Sequence, residues 1–81
     1  MDRALLQQHL TRAEQHAAEG ERHLARQEAL IARLDRQGHD TAEARKILAT
    51  LRASQTLHEQ DIQRILNELE HDGRRDRGKH A

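Results

Sequence analysis

The sequence predicts an all-α protein, an antiparallel two-helix hairpin of the coiled-coil kind. Three observations support this fold class. Apolar residues recur every seven positions in two long stretches, a short glycine-containing segment separates the stretches, and the chain contains no proline. Two amphipathic helices of similar length that are joined by a short turn pack side by side in opposite directions.

The first helix is predicted over residues 2–36, where Ala, Leu, Gln, Glu and Arg dominate and all favour helix. Its apolar stripe consists of two heptad rows that would face a partner helix. The first row contains Leu10, Ala17, Leu24 and Ile31, and the second contains Leu6, Ala13, Gly20, Gln27 and Leu34.

A turn is predicted over residues 37–40. Gly38 suits the left-handed conformation that closes many helices. Asp40, with Glu43 three residues later, has the spacing of a capping box at the start of a second helix.

The second helix is predicted over residues 41–71, and it also carries two heptad rows. Counting outward from the turn places Ile31 opposite Ile47 in the half near the turn. In the distant half it places Gly20 opposite His58 and Ala13 opposite Ile65, so that small residues there face large ones. The rows are Ala44, Leu51, His58 and Ile65, and Leu48, Gln55, Ile62 and Leu69.

Ten residues are predicted to carry the interface between the helices. His58 is the exception among them, because it is polar at a core position. A single polar core residue commonly fixes helix register and oligomeric state, which is the favoured interpretation, and a pH-sensitive switch is the alternative. The ten are Leu10, Ala17, Leu24, Ile31, Leu48, Leu51, His58, Ile62, Ile65 and Leu69.

Further apolar residues lie beside these rows, and a single hairpin leaves that flank uncovered. Chains of about this size commonly complete their core by oligomerising. The sequence therefore predicts a homodimeric four-helix bundle that acts as a non-enzymatic interaction or oligomerisation module. The residues of this apolar flank are Leu5, Leu30, Ile47, Leu57 and Leu66.

Composition excludes several classes of function. The chain has no cysteine and no aromatic residue, which removes thiolate catalysis, cysteine-based zinc sites and base stacking on aromatic rings. Its few Ser and Thr residues form no nucleophile motif, so we predict no enzyme, no catalytic residue and no cofactor. Its apolar runs are too short to insert into a membrane, and a cytoplasmic location is expected.

A row of histidines flanks the first helix. His9, His16 and His23 are seven residues apart, and two helical turns separate neighbours by about 10.5 Å, so no two of them can share one metal ion. We predict interface histidines and no metal site. A histidine-dependent metal binder is an alternative function.

The last nine residues, 73–81, are predicted to be a disordered basic tail, because they contain two glycines and no large apolar residue. Such a tail could contact phosphates without sequence specificity. A nucleic-acid-associated protein is therefore a further alternative, although nucleic acid is not the favoured partner. The basic residues of the tail are Arg74, Arg75, Arg77 and Lys79.

Two segments resemble a group of short, uncharacterised bacterial proteins that share a helical hairpin. They are AEGERHLARQ, from Ala18 to Gln27, and GHDTAEA, from Gly38 to Ala44, and the resemblance covers roughly residues 12 to 66. It implies a bacterial, cytoplasmic protein and no particular activity. Similar sequences are expected to have an aromatic residue where Leu51 stands here, which implies a differently packed core at that level.

Deleting residues 73–81 should leave the thermal midpoint almost unchanged, because no large apolar residue is lost. Leu24→Asp or Ile62→Asp should instead unfold the chain, since each places an unpaired charge in the interface. Thermal melts followed by far-UV circular dichroism test both statements. A midpoint lowered by many degrees after the deletion would mean that the tail packs against the hairpin.

Overall fold

The computed structural model of the chain confirms the all-α hairpin. Helix α1 spans Arg3–Arg36 and helix α2 spans Ala42–His80. The structure describes the backbone of residues 2–80 and the side chains of residues 2–72. The two helices pack along their length into a rod of 67 × 15 × 15 Å.

Helix α1 ends at Arg36, and the glycine that the sequence predicts closes it two residues later. Gly38 has a φ of 75°, in the left-handed region. The His39 N–H donates to the Leu34 carbonyl at 2.9 Å and the Gly38 N–H donates to the Asp35 carbonyl at 3.1 Å. This pair of bonds is the Schellman motif, which satisfies carbonyls at the helix end and turns the chain back towards α1.

Helix α2 begins one residue later than predicted. The Thr41 carbonyl accepts the first helical bond from the Arg45 N–H at 2.9 Å, and the Asp40 carboxylate accepts from the Ala42 N–H at 3.0 Å. Glu43 therefore occupies the second helical position, where a carboxylate favours the positive end of the helix dipole. The predicted capping box is wrong, because its glutamate belongs at the third position.

The far end of α2 also differs from the prediction. The helix ends at His80, whereas the sequence predicted an end at about His71. Arg, Lys and Asp tolerate helix, and the segment has no proline to stop it. Side chains of residues 73–80 lie outside the described part of the chain, and the disorder of the tail stays a prediction.

The core consists of two apolar clusters separated by a polar middle. One cluster lies near the turn and the other lies towards the open end of the hairpin. Between them the facing positions hold mainly small or polar residues, namely Ala17, Gly20, Gln55 and His58, together with the half-buried Leu51. The cluster near the turn contains Ile31, Ala44 and Leu48 with Leu24 and Leu34 beside them, and the distant cluster contains Leu6, Ala13, Ile65 and Leu69 with Leu10 and Ile62.

The register agrees with outward counting at some levels only. Ala13 and Ile65 share a cluster, as the small-to-large pairing predicts. Ile31 instead packs with Ala44 and Leu48, and Ile47 is 47% exposed. The pairing of Ile31 with Ile47 is wrong, because Ile47 is rotated by about 100° from Leu48 and so points beside the interface.

Gly38→Ala should lower the free energy of unfolding by about 1 kcal/mol, because a Cβ is disfavoured in the left-handed conformation. Open space surrounds the position, so the cost comes from the backbone alone. Urea unfolding followed by circular dichroism measures it. Gln37→Ala is the matched control: its φ of −86° suits any residue, and a change within about 0.5 kcal/mol is expected. Equal losses in both variants would contradict this account of the turn.

Candidate functional site

Gln55 is the buried polar residue in the middle of the hairpin. Only 5% of it is exposed, and its Nε2 donates to the Ala17 carbonyl of α1 at 2.7 Å. Its Oε1 is also buried and has no hydrogen-bond partner. Burying an amide costs free energy that its hydrogen bonds must offset. The bond to the Ala17 carbonyl therefore sets the position of the Gln55 side chain.

Gly20 provides the space that the Gln55 amide occupies. A Cβ at position 20 would lie 1.8 Å from Oε1 and 2.9 Å from Cδ of Gln55. Gly20 therefore faces Gln55, and the predicted pairing of Gly20 with His58 is wrong. Both Gln55 and His58 lie in the heptad rows. The Gln55 side chain extends to the Ala17 carbonyl and fills the space beside Gly20.

Side chains of both helices cross the interface to bind backbone carbonyls of the other helix. Besides Gln55, the Gln27 Nε2 donates to the Ala44 carbonyl at 2.9 Å and an Arg3 guanidinium nitrogen donates to the Leu69 carbonyl at 3.1 Å. The numbers of donor and acceptor add to 72 for Gln55 and Arg3, and to 71 for Gln27. The three bonds lie near the middle and towards both ends of the rod, and all of them specify the same register.

One side of the hairpin, which we call the histidine face, has shallow grooves between the helices. The central groove has a volume of about 180 Å³ and is lined by residues of both helices. A second groove adjoins it towards the open end, and His16 and His58 line both. Polar residues that define this face are His9, Arg12, His16, Glu19 and His23 of α1, with Ser54, His58, Asp61 and Arg64 of α2.

His16 and His58 meet across this face. Their ring centroids are 5.8 Å apart and the ring planes are inclined at 88°, an edge-to-face arrangement. His58 is half-buried and His16 is exposed, so the pair is open to solvent. Heptad spacing does not predict this contact, since it relates residues of one helix and not of two.

Asp61, Arg64 and Glu68 form an ion-pair ladder along the edge of α2. Arg64 contacts the Asp61 carboxylate through one nitrogen and the Glu68 carboxylate through the other, the latter at 3.2 Å. The hydrogen bond and charge of Asp61 raise the pKa of the Arg64 guanidinium. The Asp61 carboxylate is thus already occupied by a cation of its own helix.

Most of the predicted apolar flank lies on the histidine face. Positions seven residues apart stay on one side of a coiled-coil helix. Leu30 extends the row of His9, His16 and His23, and Ile47 precedes Ser54 and Asp61 by the same step. Leu5 precedes Arg12, and Leu57 precedes Arg64. The exposed fractions are 41% for Leu5, 47% for Ile47 and 65% for Leu57, whereas Leu30 is half-buried.

The opposite side of the hairpin is charged. The rows at that edge carry mainly Glu on α1, and Arg and Glu on α2. Leu66, which is 42% exposed, is the member of the apolar flank that lies there. The row of α1 contains Gln7, Glu14, Glu21 and Glu28, and the row of α2 contains Arg45, Arg52, Glu59 and Leu66.

The threonine hydroxyls of residues 2–72 are bonded within their own helices. Three threonine hydroxyls, of Thr11, Thr50 and Thr56, donate to carbonyls one turn earlier in their own helices. Within the described residues, no group of three or more His, Asp or Glu side chains is arranged to hold a metal ion. Neither helix has, in the described part, an apolar stretch that could cross a membrane.

The predicted nucleic-acid contacts cannot be placed on this site. Arg74, Arg75, Arg77 and Lys79 have side chains outside the described residues. All ten residues predicted for the helix interface, by contrast, are buried or half-buried between α1 and α2. The histidine face lies directly beside this helix interface.

No protein-family model matches the chain, and no curated protein or solved structure is similar to it. The resemblance to short bacterial hairpin proteins accordingly stays a prediction.

Gly20→Ala and Gln55→Ala should show strong coupling in a double-mutant cycle. In the Gln55→Ala background, Gly20→Ala should raise the free energy of unfolding by about 1 kcal/mol, because alanine favours helix. In the wild type the new Cβ also displaces the Gln55 amide and breaks its bond to the Ala17 carbonyl. The loss of that bond costs about 1 kcal/mol, so the free energy of unfolding should stay nearly unchanged. Urea unfolding at one protein concentration measures all four proteins.

Gln27→Ala is the control partner for Gly20→Ala. It removes an equivalent bond about 10.5 Å further along α1, so the two changes should add to within about 0.5 kcal/mol. If the effects of Gly20→Ala and Gln55→Ala on the free energy of unfolding simply add, the contact of the Gln55 amide with the Gly20 backbone does not contribute to stability.

Proposed function

We propose that this protein is a non-enzymatic helical interaction module that pairs with a second copy of itself to form a four-helix bundle. The observation that carries the proposal is the one-sided distribution of the apolar flank. Four of its five members lie on the histidine face, and the three largest exposed fractions there are 41%, 47% and 65%. Exposed aliphatic residues that follow one side of a rod favour a protein–protein contact along that side.

A second copy is the occupant that best matches this face. The chain has two layers, so each helix has apolar residues that its one partner cannot cover, and another hairpin covers them on both molecules at once. Besides the Asp61–Arg64 pair, the polar residues of the face include both signs of charge, with Arg12 against Glu19. A two-fold contact can therefore pair opposite charges among its exposed aliphatic residues.

The threonine hydroxyls also favour a binding role over catalysis. The hydroxyls of Thr11, Thr50 and Thr56 donate to carbonyls of their own helices, and the Thr41 hydroxyl accepts from Arg45 at 2.9 Å. A hydroxyl used in this way lacks the neighbouring general base that activates a nucleophile. The grooves of the histidine face are shallow and open, which suits a docking surface better than an enclosed active site.

Sedimentation equilibrium at micromolar concentration should give a mass of about 19 kDa, twice the 9.4 kDa of the chain. Leu57→Glu should weaken association at least tenfold, because it introduces a charge into the contact. Leu57 is 65% exposed in the single hairpin, so the substitution should leave the packing of α1 on α2 unchanged. Circular dichroism should show that the variant keeps its helices.

Leu66→Glu is the matched control for Leu57→Glu. It makes the same chemical change at an exposed leucine of the same helix, on the charged side of the hairpin. The control should sediment like the wild type. A folded wild-type monomer, or equal weakening by both variants, would contradict the assignment of the histidine face to self-association.

A further inference from the structure

The contact between His16 and His58 places two metal-ligating side chains from different helices at one point. Imidazole nitrogens bind Zn²⁺ at about 2.0–2.1 Å, so two imidazoles that share a tetrahedral zinc ion have ring centroids roughly 5 to 6 Å apart. The observed separation is 5.8 Å. The edge-to-face arrangement, with ring planes inclined at 88°, keeps the two imidazoles from stacking flat on each other.

We propose that His16 and His58 together bind one divalent transition-metal ion, such as Zn²⁺ or Cu²⁺, and that this ion joins α1 to α2. Imidazole is a good ligand for both metals. In a single hairpin His16 is exposed and the groove is open, so an ion can enter without unfolding the hairpin. This inference concerns contacts within one chain and does not depend on self-association.

The surrounding residues define a two-histidine site. His9 and His23 are each two turns from His16, about 10.5 Å along the helix, and cannot reach the same ion. Asp61 is occupied by Arg64. Water would therefore complete the coordination, in keeping with the lack of any three-residue metal group among the described residues. Glu19 lines the same groove and adds a negative charge that favours a cation.

Metal binding at this pair is coupled to the hairpin structure. The two ligands are far apart in the sequence, and only packing of α1 on α2 brings them together. An ion that binds the folded chain and not the unfolded chain raises stability in proportion to the logarithm of its concentration. The predicted signature is a thermal midpoint that climbs with metal concentration.

The test uses the full chain without a histidine tag, melted in increasing Zn²⁺ and, separately, Cu²⁺. Above the dissociation constant, each tenfold increase in metal should raise the thermal midpoint by about 5 to 10 °C. Mg²⁺, which prefers oxygen ligands, should have no such effect. His16→Gln and His58→Gln should each abolish the rise, whereas His9→Gln and His23→Gln, from the same face, should retain it.

Two further measurements complete the test. Nuclear magnetic resonance of the histidine rings should show Zn²⁺ shifts at His16 and His58, which reports on the site even if a variant fails to fold. The Leu57→Glu variant should keep the metal response, with one ion bound per chain. The proposal is overturned by no rise with either metal, by a rise that survives His16→Gln or His58→Gln, or by binding that requires two chains for each ion.

Discussion

The amide of Gln55, seated over Gly20 and bonded to the Ala17 carbonyl, is the constraint on which the rest of the hairpin depends. Apolar rows can slide past one another by a heptad at modest cost, because each aliphatic contact resembles the next. A buried amide cannot, since its donor would lose the carbonyl and its bulk would meet a Cβ. One glycine in α1 and one glutamine in α2 thus select a single alignment.

This constraint divides the core and determines what each part contributes. Aliphatic packing is concentrated in the two clusters, near the turn and towards the open end, where burial from water is most complete. The middle contributes alignment and has little apolar area of its own. It is also where His58 is excluded from the gap at Gly20 and is left at the edge of the interface, against His16. The histidine contact is therefore a by-product of how the register is set.

Sequence reasoning succeeded where a single rule dominates. The heptad rows located the positions that face the partner helix, and the conformational freedom of glycine located the end of α1 at Gly38. It failed where two side chains compete for one space. Gln55 and His58 occupy adjacent turns of the same stripe, and only the three-dimensional reach of each side chain decides which enters the gap.

The same limitation applies to the candidate site. The row of His9, His16 and His23 was visible in the sequence, and so was the polar character of His58. Their contact depends on the offset between two antiparallel helices, which heptad spacing does not specify to within one turn. The start of α2 illustrates the same point on a smaller scale, because Asp40 and Thr41 are both competent capping residues and local spacing does not rank them.

The rod measures 67 Å along one axis and 15 Å along the other two, and this shape affects how the molecule moves through water. A body so elongated experiences more friction than a sphere of equal mass, so it diffuses slowly and elutes early from a gel-filtration column. A single hairpin would imitate a larger compact particle there. Side-by-side pairing would thicken the rod without lengthening it, and the friction per unit mass would fall as the assembly grew.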